Sequence, residues 1–280
     1  MVVQRRWFLG TVGAAAITVA GSAILKQANQ STANGSVRLI VSAAASVQDA
    51  LNEAVQAYKA LVPDVAIDLN FASSGALQQQ IEQGAPVDVF LSAAPKQMNA
   101  LADKGLLVPG TRRELLGNQM VLVTETHSTT SQHSASIPLQ SREEAIAQFS
   151  TLTADTVERI VIGDPESVPA GAYAKEVLSS LQLYDALNSK FVFAKDVRQA
   201  LTYVESGNVA AGLVYATDAA LSSRVQTVAI APADSHQPIV YPVAVIKTSQ
   251  QVDAARAFTD FLSSDRSRSA FEHYGFVMLP

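Results

Sequence analysis

Short apolar runs alternate along the chain with stretches whose apolar positions recur every three or four residues, from about residue 38 to the end. Residues 38–41 read as a strand that closes in Ser42-Ala43-Ala44-Ala45-Ser46. The helix after it sets Val47, Ala50, Leu51, Ala54, Val55 and Tyr58 on one face. Ser46 has the position of an N-cap, with Asp49 at capping-box spacing. The same unit recurs. Residues 65–71 lead through Ala72-Ser73-Ser74-Gly75 into a second helix, and 160–163 through Asp164-Pro165 and Val168-Pro169-Ala170-Gly171 into a third. Residues 191–193 lead to Asp196, an N-cap with Gln199 at the capping-box position, and a fourth helix.

Further strands are expected at 87–92, 119–123, 211–215, 225–230 and 239–246. The unbroken apolarity of 87–92 suits the interior of a parallel sheet. Pro242 inside the last run suits an edge, a bulge or a crossing between lobes. Helices are expected after Pro95, after Ser141 (with Glu144 completing a capping box), after Val252 and near Ser267, and the pair Arg112-Arg113 reads as a solvated helix face. The fold class is therefore α/β. The strands are too many for one comfortable sheet, so two sheets facing across a cleft are expected. Residues 36–120 plus 242–280 would form the first lobe and 121–241 the second. The strands at 119–123 and 240–246 would cross between them, returning the C-terminal helix to the first lobe.

A strand that feeds a helix through small or hydroxyl residues leaves unpaired N–H groups at the positive end of the helix dipole, where an anion can sit. One such turn is ordinary. Four of them, the first three free of lysine and arginine, suggest one site for a buried anion.

Composition narrows the classes. The 280 residues are 48% hydrophobic and 16% charged with net charge -5, which suits one or two globular domains. The acidic balance, the 6% aromatic content and the lack of a dense Lys/Arg tract argue against nucleic acid. With no cysteine there is no disulfide, thiolate metal site or lipoprotein anchor cysteine. At the N-terminus, Arg5-Arg6-Trp7-Phe8-Leu9 precedes a mildly apolar Gly/Ala-rich run to Leu25, then a polar joint. Residues 1–35 read as a cleaved export signal resembling the twin-arginine type, which places the mature chain in the periplasm. Without them 17 basic residues face 25 acidic ones, so an anion would be drawn by a local site and repelled by the overall field.

Enzymatic chemistry finds little support. A hydrolase would need a serine with His236 or His273, yet neither histidine ends a strand of the site-forming blocks. There is no Gly-x-Ser-x-Gly elbow and no paired catalytic carboxylates. No catalytic residue is expected. His127 and His133 fall in a polar loop with nothing to complete a metal-ligand set.

The motifs Ala43-Ala44-Ala45-Ser46, Phe71-Ala72-Ser73-Ser74, Gln83-Gly84-Ala85-Pro86-Val87-Asp88-Val89-Phe90 and Leu116-Gly117-Asn118 come in a characteristic order. After them come Gly163-Asp164-Pro165-Glu166-Ser167-Val168-Pro169-Ala170-Gly171 and Val214-Tyr215-Ala216-Thr217-Asp218. In that order and spacing they resemble the periplasmic molybdate-binding proteins, the receptors of molybdate ABC transporters, over residues 37–280. The resemblance implies the type II periplasmic-binding fold, two α/β lobes around a ligand cleft joined by two crossover strands. It implies capture of molybdate or tungstate and delivery to a membrane permease, by a monomer without cofactor that holds molybdenum only as the oxyanion. The ligand contacts it carries over fall on Ser46, Ser74, Ala170, Val197 and Tyr215. Hydroxyls and N–H groups would come from the serines, backbone N–H from Ala170 and Val197, and a phenol from Tyr215. Gly75 stands where the family often has a third serine, which would loosen the helix start. A receptor of the same fold for sulfate or phosphate is the alternative. Phosphate would need an acceptor for its proton, and the only one at these turns, Asp196, is claimed as a cap.

Overall fold

The computed structural model describes residues 37–126 and 140–280, so the export segment and the loop with His127 and His133 lie outside the described residues. Its strands are β1 (Val37–Ala44), β2 (Val65–Ala72), β3 (Val89–Leu91), β4 (Arg113–Gly117), β5 (Met120–Glu125), β6 (Ile160–Gly163), β7 (Phe191–Ala194), β8 (Ala211–Tyr215), β9 (Val225–Ile230), β10 (Val240–Val245) and β11 (Val277–Met278). They form two sheets, in the orders β11-β4-β10-β3-β1-β2 and β7-β6-β8-β5-β9. Helices follow most of the parallel strands and cover the sheets. The stripe of Ala50, Leu51, Ala54, Val55 and Tyr58 buries the helix Gln48–Leu61 against the first sheet. The ring of Tyr58 also meets Phe258 and Phe261 of the helix Val252–Leu262 at 5.1 and 5.0 Å, so the C-terminal helices return to the first sheet as expected.

Register decides where the turns go. β1 and β2 are parallel with Ala44 opposite Ala72, so both strands end level, and Ser46 and Ser74 each lie two residues beyond. In the second sheet β6 is parallel to β7 with Gly163 opposite Ala194, and parallel to β8, which ends at Tyr215. The turns expected to hold an anion therefore gather at the carboxyl ends of parallel strands, where ligands of open α/β sheets bind.

Several expectations need correction. Each strand lies wholly within one sheet, so the chain passes between the sheets at Asn118-Gln119 and again over 231–239. Arg112 precedes and Arg113 opens strand β4, not a helix, with Arg113 and Glu114 facing water and Leu115 and Leu116 in the core. β3 is parallel to β1 but antiparallel to β10, so its sheet is mixed. β10 is interior, so of the readings offered for Pro242 the edge and the crossing fall away and the bulge holds, the register against β4 shifting between Tyr241 and Pro242. The short strand β11 carries no periodic signal long enough to read.

Candidate functional site

Ser46, Ser74, Ala170, Val197 and Tyr215, contributed by both sheets, all line one small cavity, together with Ala44, Ser73 and Val168 among others. No lysine or arginine lines it. The one carboxylate residue among its lining, Asp196, caps the helix Val197–Glu205 and accepts from the Gln199 N–H at 2.8 Å. Three helices start here: Ser74–Glu82, Pro169–Ser180 and Val197–Glu205. Their positive ends face the cavity, and the N–H groups of Ser74, Ala170 and Val197 have no intrahelical acceptor.

The hydroxyls are oriented as donors. Ser74 Oγ accepts from the Ala93 N–H at 2.9 Å, which leaves its own hydrogen for the cavity. Ser46 Oγ meets the Tyr241 hydroxyl at 3.0 Å, and Asn118 Nδ2 donates to that hydroxyl at 3.2 Å. With Asn118 donating to it, the Tyr241 hydroxyl can turn its own hydrogen to Ser46, which frees the serine's hydrogen to point inward. Asn118 is fixed in turn by donating to Thr217 Oγ1 at 2.9 Å and by accepting from the Gln119 N–H at 2.8 Å. Tyr215 is fully buried, and its hydroxyl has no hydrogen-bond partner among the described residues. A buried hydroxyl is costly to leave unpaired, so this one marks where an acceptor belongs. Burial pushes the phenols of Tyr215 and Tyr241 well above their ordinary range, with the nearby Asp218 adding to both and the Ser46 and Asn118 hydrogen bonds only partly offsetting it at Tyr241, so both stay protonated donors.

Ser46 is not the cap its spacing suggests. A 3-10 turn, Ala45–Val47, precedes the helix Gln48–Leu61, Val47 takes the cap position, and the serine is used by Tyr241. Asp49 pairs instead with Arg198 of the helix Val197–Glu205, Nη2 to Oδ2 at 2.8 Å, while the same nitrogen donates to the Ser46 carbonyl at 3.3 Å. Arg198 Nε also stands 2.5 Å from Asp218 Oδ1, an ion pair without an aligned N–H. Asp218 is wholly buried, and desolvation pushes its carboxyl up to about 7 against the pull of Arg198. Asp196 does cap its helix, but Gln199 Oε1 reaches the Lys195 N–H rather than that of Asp196, leaving half a capping box. The Ser141–Glu144 box is complete.

Tyr241, Asn118 and Ala93 were missed as site-forming residues. The sequence signal for the first was a tyrosine beside a proline in a buried strand, which reads as packing. Gly171 and Gly163 explain how Ala170 is brought in. A Cβ on Gly171 would overlap the Gly163 carbonyl, so the helix Pro169–Ser180 can start hard against β6 only because both are glycine. A wider depression lined by Thr124, Glu125, Glu158, Arg159 and Asn208 lies where β6 and β8 begin; its mixed charges share nothing with the donor-lined cavity. Among the described residues no cluster of His, Asp and Glu could hold a metal ion, and no helix is long and apolar enough to cross a membrane.

Comparison with known proteins places these features in a family. A model described as bacterial extracellular solute-binding protein matches residues 39–277. The molybdate-binding protein ModA of Haemophilus influenzae is 39% identical over 86% of this chain and 90% of its own. The molybdate-binding protein ModA of Escherichia coli is 36% identical over 99% of this chain and all of its own length. Among solved structures, the periplasmic molybdate-binding protein of Azotobacter vinelandii superposes with a TM-score of 0.73 at 26% identity, covering 86% of this chain and 99% of that one. The two sheets around a donor-lined cavity are the type II periplasmic-binding fold.

Proposed function

The chain belongs to the bacterial extracellular solute-binding proteins, and on that premise we propose that it captures molybdate and delivers it to the permease of an ABC transporter. The observation that carries this reading is the donor-only cavity. The Ser46, Ser74 and Tyr215 hydroxyls and the Ala170 and Val197 helix starts converge on one space without a free carboxylate. Molybdate is fully deprotonated at neutral pH, so each of its oxygens wants a donor and none wants an acceptor. Charge-assisted hydrogen bonds of this kind are worth about 1.5–3 kcal/mol each. Relatives named as molybdate-binding proteins, at 39% and 36% identity, support the choice of anion. Tungstate, nearly the same size and charge, is the second ligand on this reading. The protein binds without catalysing, holds no other metal or cofactor, and works as a monomer.

The reading also includes motion. The segments that build the first sheet, 37–117 and 240–280, act as one lobe and those that build the second, 120–230, as the other, closing over the anion. Saturating molybdate should lower the radius of gyration in small-angle scattering, and identical curves with and without it would remove the closure. Residues 1–35 direct export by the twin-arginine route to the periplasm, supported by Arg5-Arg6-Trp7-Phe8-Leu9. Changing both arginines to lysine should strand precursor in the cytoplasm; normal export of that variant rules the route out.

A further inference from the structure

We propose that Asn118 is a positioning residue for anion capture: it touches no anion, but its amide sets the direction of the hydrogen bond between Tyr241 and Ser46 and so makes the Ser46 hydroxyl a donor. This rests on the reading that Ser46 gives its hydrogen to an oxyanion. Asn118 closes the motif Leu116-Gly117-Asn118, lies outside the cavity lining, and stands where the chain passes between the two sheets. Its amide holds one hydroxyl from each side. Tyr241 belongs to β10 of the first sheet, and Thr217 to the helix Ala216–Ala220 that follows β8 of the second. A bond between two hydroxyls has no fixed direction, and at 3.0 Å either Tyr241 or Ser46 can supply the hydrogen. If Ser46 supplied it, the serine would turn lone pairs toward the anion it is meant to hold.

Asn118 decides the direction because its own orientation is settled. Oδ1 accepts from the Gln119 N–H at 2.8 Å, and a backbone N–H can only donate, so the amide cannot be turned over. Nδ2 must then face the other two neighbours, the Tyr241 hydroxyl at 3.2 Å and Thr217 Oγ1 at 2.9 Å, with one hydrogen for each. The wholly buried Tyr241 hydroxyl thus accepts from Asn118 and has one hydrogen to give. Ser46 is its only other partner among the described residues. The Tyr241 ring packs beside that of Tyr215, centroids 5.8 Å apart, yet the Tyr215 hydroxyl takes no bond from it. In the reverse direction the phenol would accept twice and leave its own hydrogen buried and unpaired, which is costly. Tyr241 therefore gives it to Ser46. With its oxygen so occupied, the serine keeps its hydrogen for the cavity it lines. The chain runs one way, from Asn118 through the phenol to the serine, and its last hydrogen is the one an anion takes.

Aspartate has nearly the shape of asparagine and only acceptors, so Asn118→Asp reverses the chain instead of cutting it. Tyr241 would turn its hydrogen to the new carboxylate, Ser46 would turn its own to Tyr241, and the anion would meet a lone pair. Calorimetric titration with molybdate, tungstate and sulfate, beside ligand-free melting curves, tests this. The proteins are wild type, Asn118→Asp, Asn118→Asp/Tyr241→Phe, and Ser46→Ala with and without Asn118→Asp. For whichever anion the wild type binds, Asn118→Asp should raise the dissociation constant about ten- to a hundredfold. Ser46→Ala should cost about as much in the wild type but less than about threefold on top of Asn118→Asp, where its hydrogen is already turned away. Adding Tyr241→Phe to Asn118→Asp removes the competing acceptor and should recover about tenfold, although the new charge remains. Wild-type affinity in Asn118→Asp overturns the proposal. So does an equal cost of Ser46→Ala in both backgrounds, or no recovery with Tyr241→Phe, since added charge or a damaged fold would then explain the loss. Should Asn118→Asp melt below the titration temperature, Asn118→Ala takes its place. Alanine frees the direction without reversing it, so its loss should stay below that of Ser46→Ala, and a loss as large overturns the proposal. A wild type that takes sulfate and not molybdate defeats the proposed anion while the chain is tested on sulfate. One that binds none of the three, or that loses nothing on Ser46→Ala, defeats both.

Discussion

Sulfate should compete for this cavity at least about a hundredfold less well than molybdate, whereas tungstate should fall within about tenfold of it. Donor counting cannot separate the three, because each is a tetrahedral dianion with four acceptor oxygens. Size can. S–O bonds are shorter than Mo–O bonds by a few tenths of an ångström, while Mo–O and W–O are nearly alike. The walls cannot follow a smaller anion inward, because they already touch: Gly75 N–H meets the Ser167 carbonyl at 3.0 Å and Arg198 meets Asp49 at 2.8 Å. Ser46 and Ser74 on one side and Ala170 and Val197 on the other would keep their spacing around sulfate, leaving some bonds long. Poor geometry on two of them, at about 1.5 kcal/mol each, gives about 3 kcal/mol. Phosphate at neutral pH adds a proton that would face donors only. Competition calorimetry at fixed pH and ionic strength checks this, and sulfate displacing molybdate at comparable concentration would defeat both the size argument and the choice of anion.

The second large effect belongs to Arg198. Asp218 is wholly buried, neither of its carboxylate oxygens has a hydrogen bond among the described residues, and Arg198 is its ion-pair partner. Arg198→Met should therefore destabilise the protein by about 3 kcal/mol at pH 8, the low end for breaking a buried pair, because the guanidinium is itself about a quarter exposed (26%). The sign with pH is definite. The folded-state value of Asp218, about 7, lies above its ordinary 3.8, so its neutral form is the one the fold favours. Protonation thus adds stability that is present below about 4 and lost as pH rises through about 7. At pH 5 the carboxyl is neutral in both proteins and Arg198 has little to compensate, so the variant's deficit should shrink. Urea unfolding at pH 5 and pH 8 measures this; an equal deficit at both would mean that Arg198 acts through packing or Asp49 and not through the charge of Asp218.

What the sequence disclosed follows from how local each feature is. The strand–turn–helix units and the buried faces of helices such as Gln48–Leu61 are written in spacing within a dozen residues, and they were legible. So was the convergence of Ser46, Ser74, Ala170, Val197 and Tyr215 on one space, though only through the order of the motifs. β4 was hidden because it spans only five residues, starts with the charged Arg113 and Glu114, and shows no alternation of buried and exposed positions. The partners of the hydroxyls were hidden for a different reason. Ser46 and Tyr241 are 195 positions apart, Asn118 and Tyr241 are 123 apart, and no local pattern records such pairs. The same holds for Arg198 with Asp49, where a local capping rule assigned the aspartate to Ser46 and the tertiary ion pair took it. Gly75 shows the limit from the other side. Its helix position was visible, and the Ser167 carbonyl packed against it was not.

The central claim is that this cavity binds molybdate through neutral donors, and Tyr215 exposes it most directly because its buried hydroxyl has no partner among the described residues. Calorimetric titration of molybdate into wild type and Tyr215→Phe, with Val197→Ala as the backbone-donor control, decides it. The account predicts one site per chain in the wild type, a loss of about 1–3 kcal/mol in Tyr215→Phe and a smaller loss in Val197→Ala, whose N–H survives the change. Binding by Tyr215→Phe as tight as the wild type, or no saturable heat with the wild type, would contradict it.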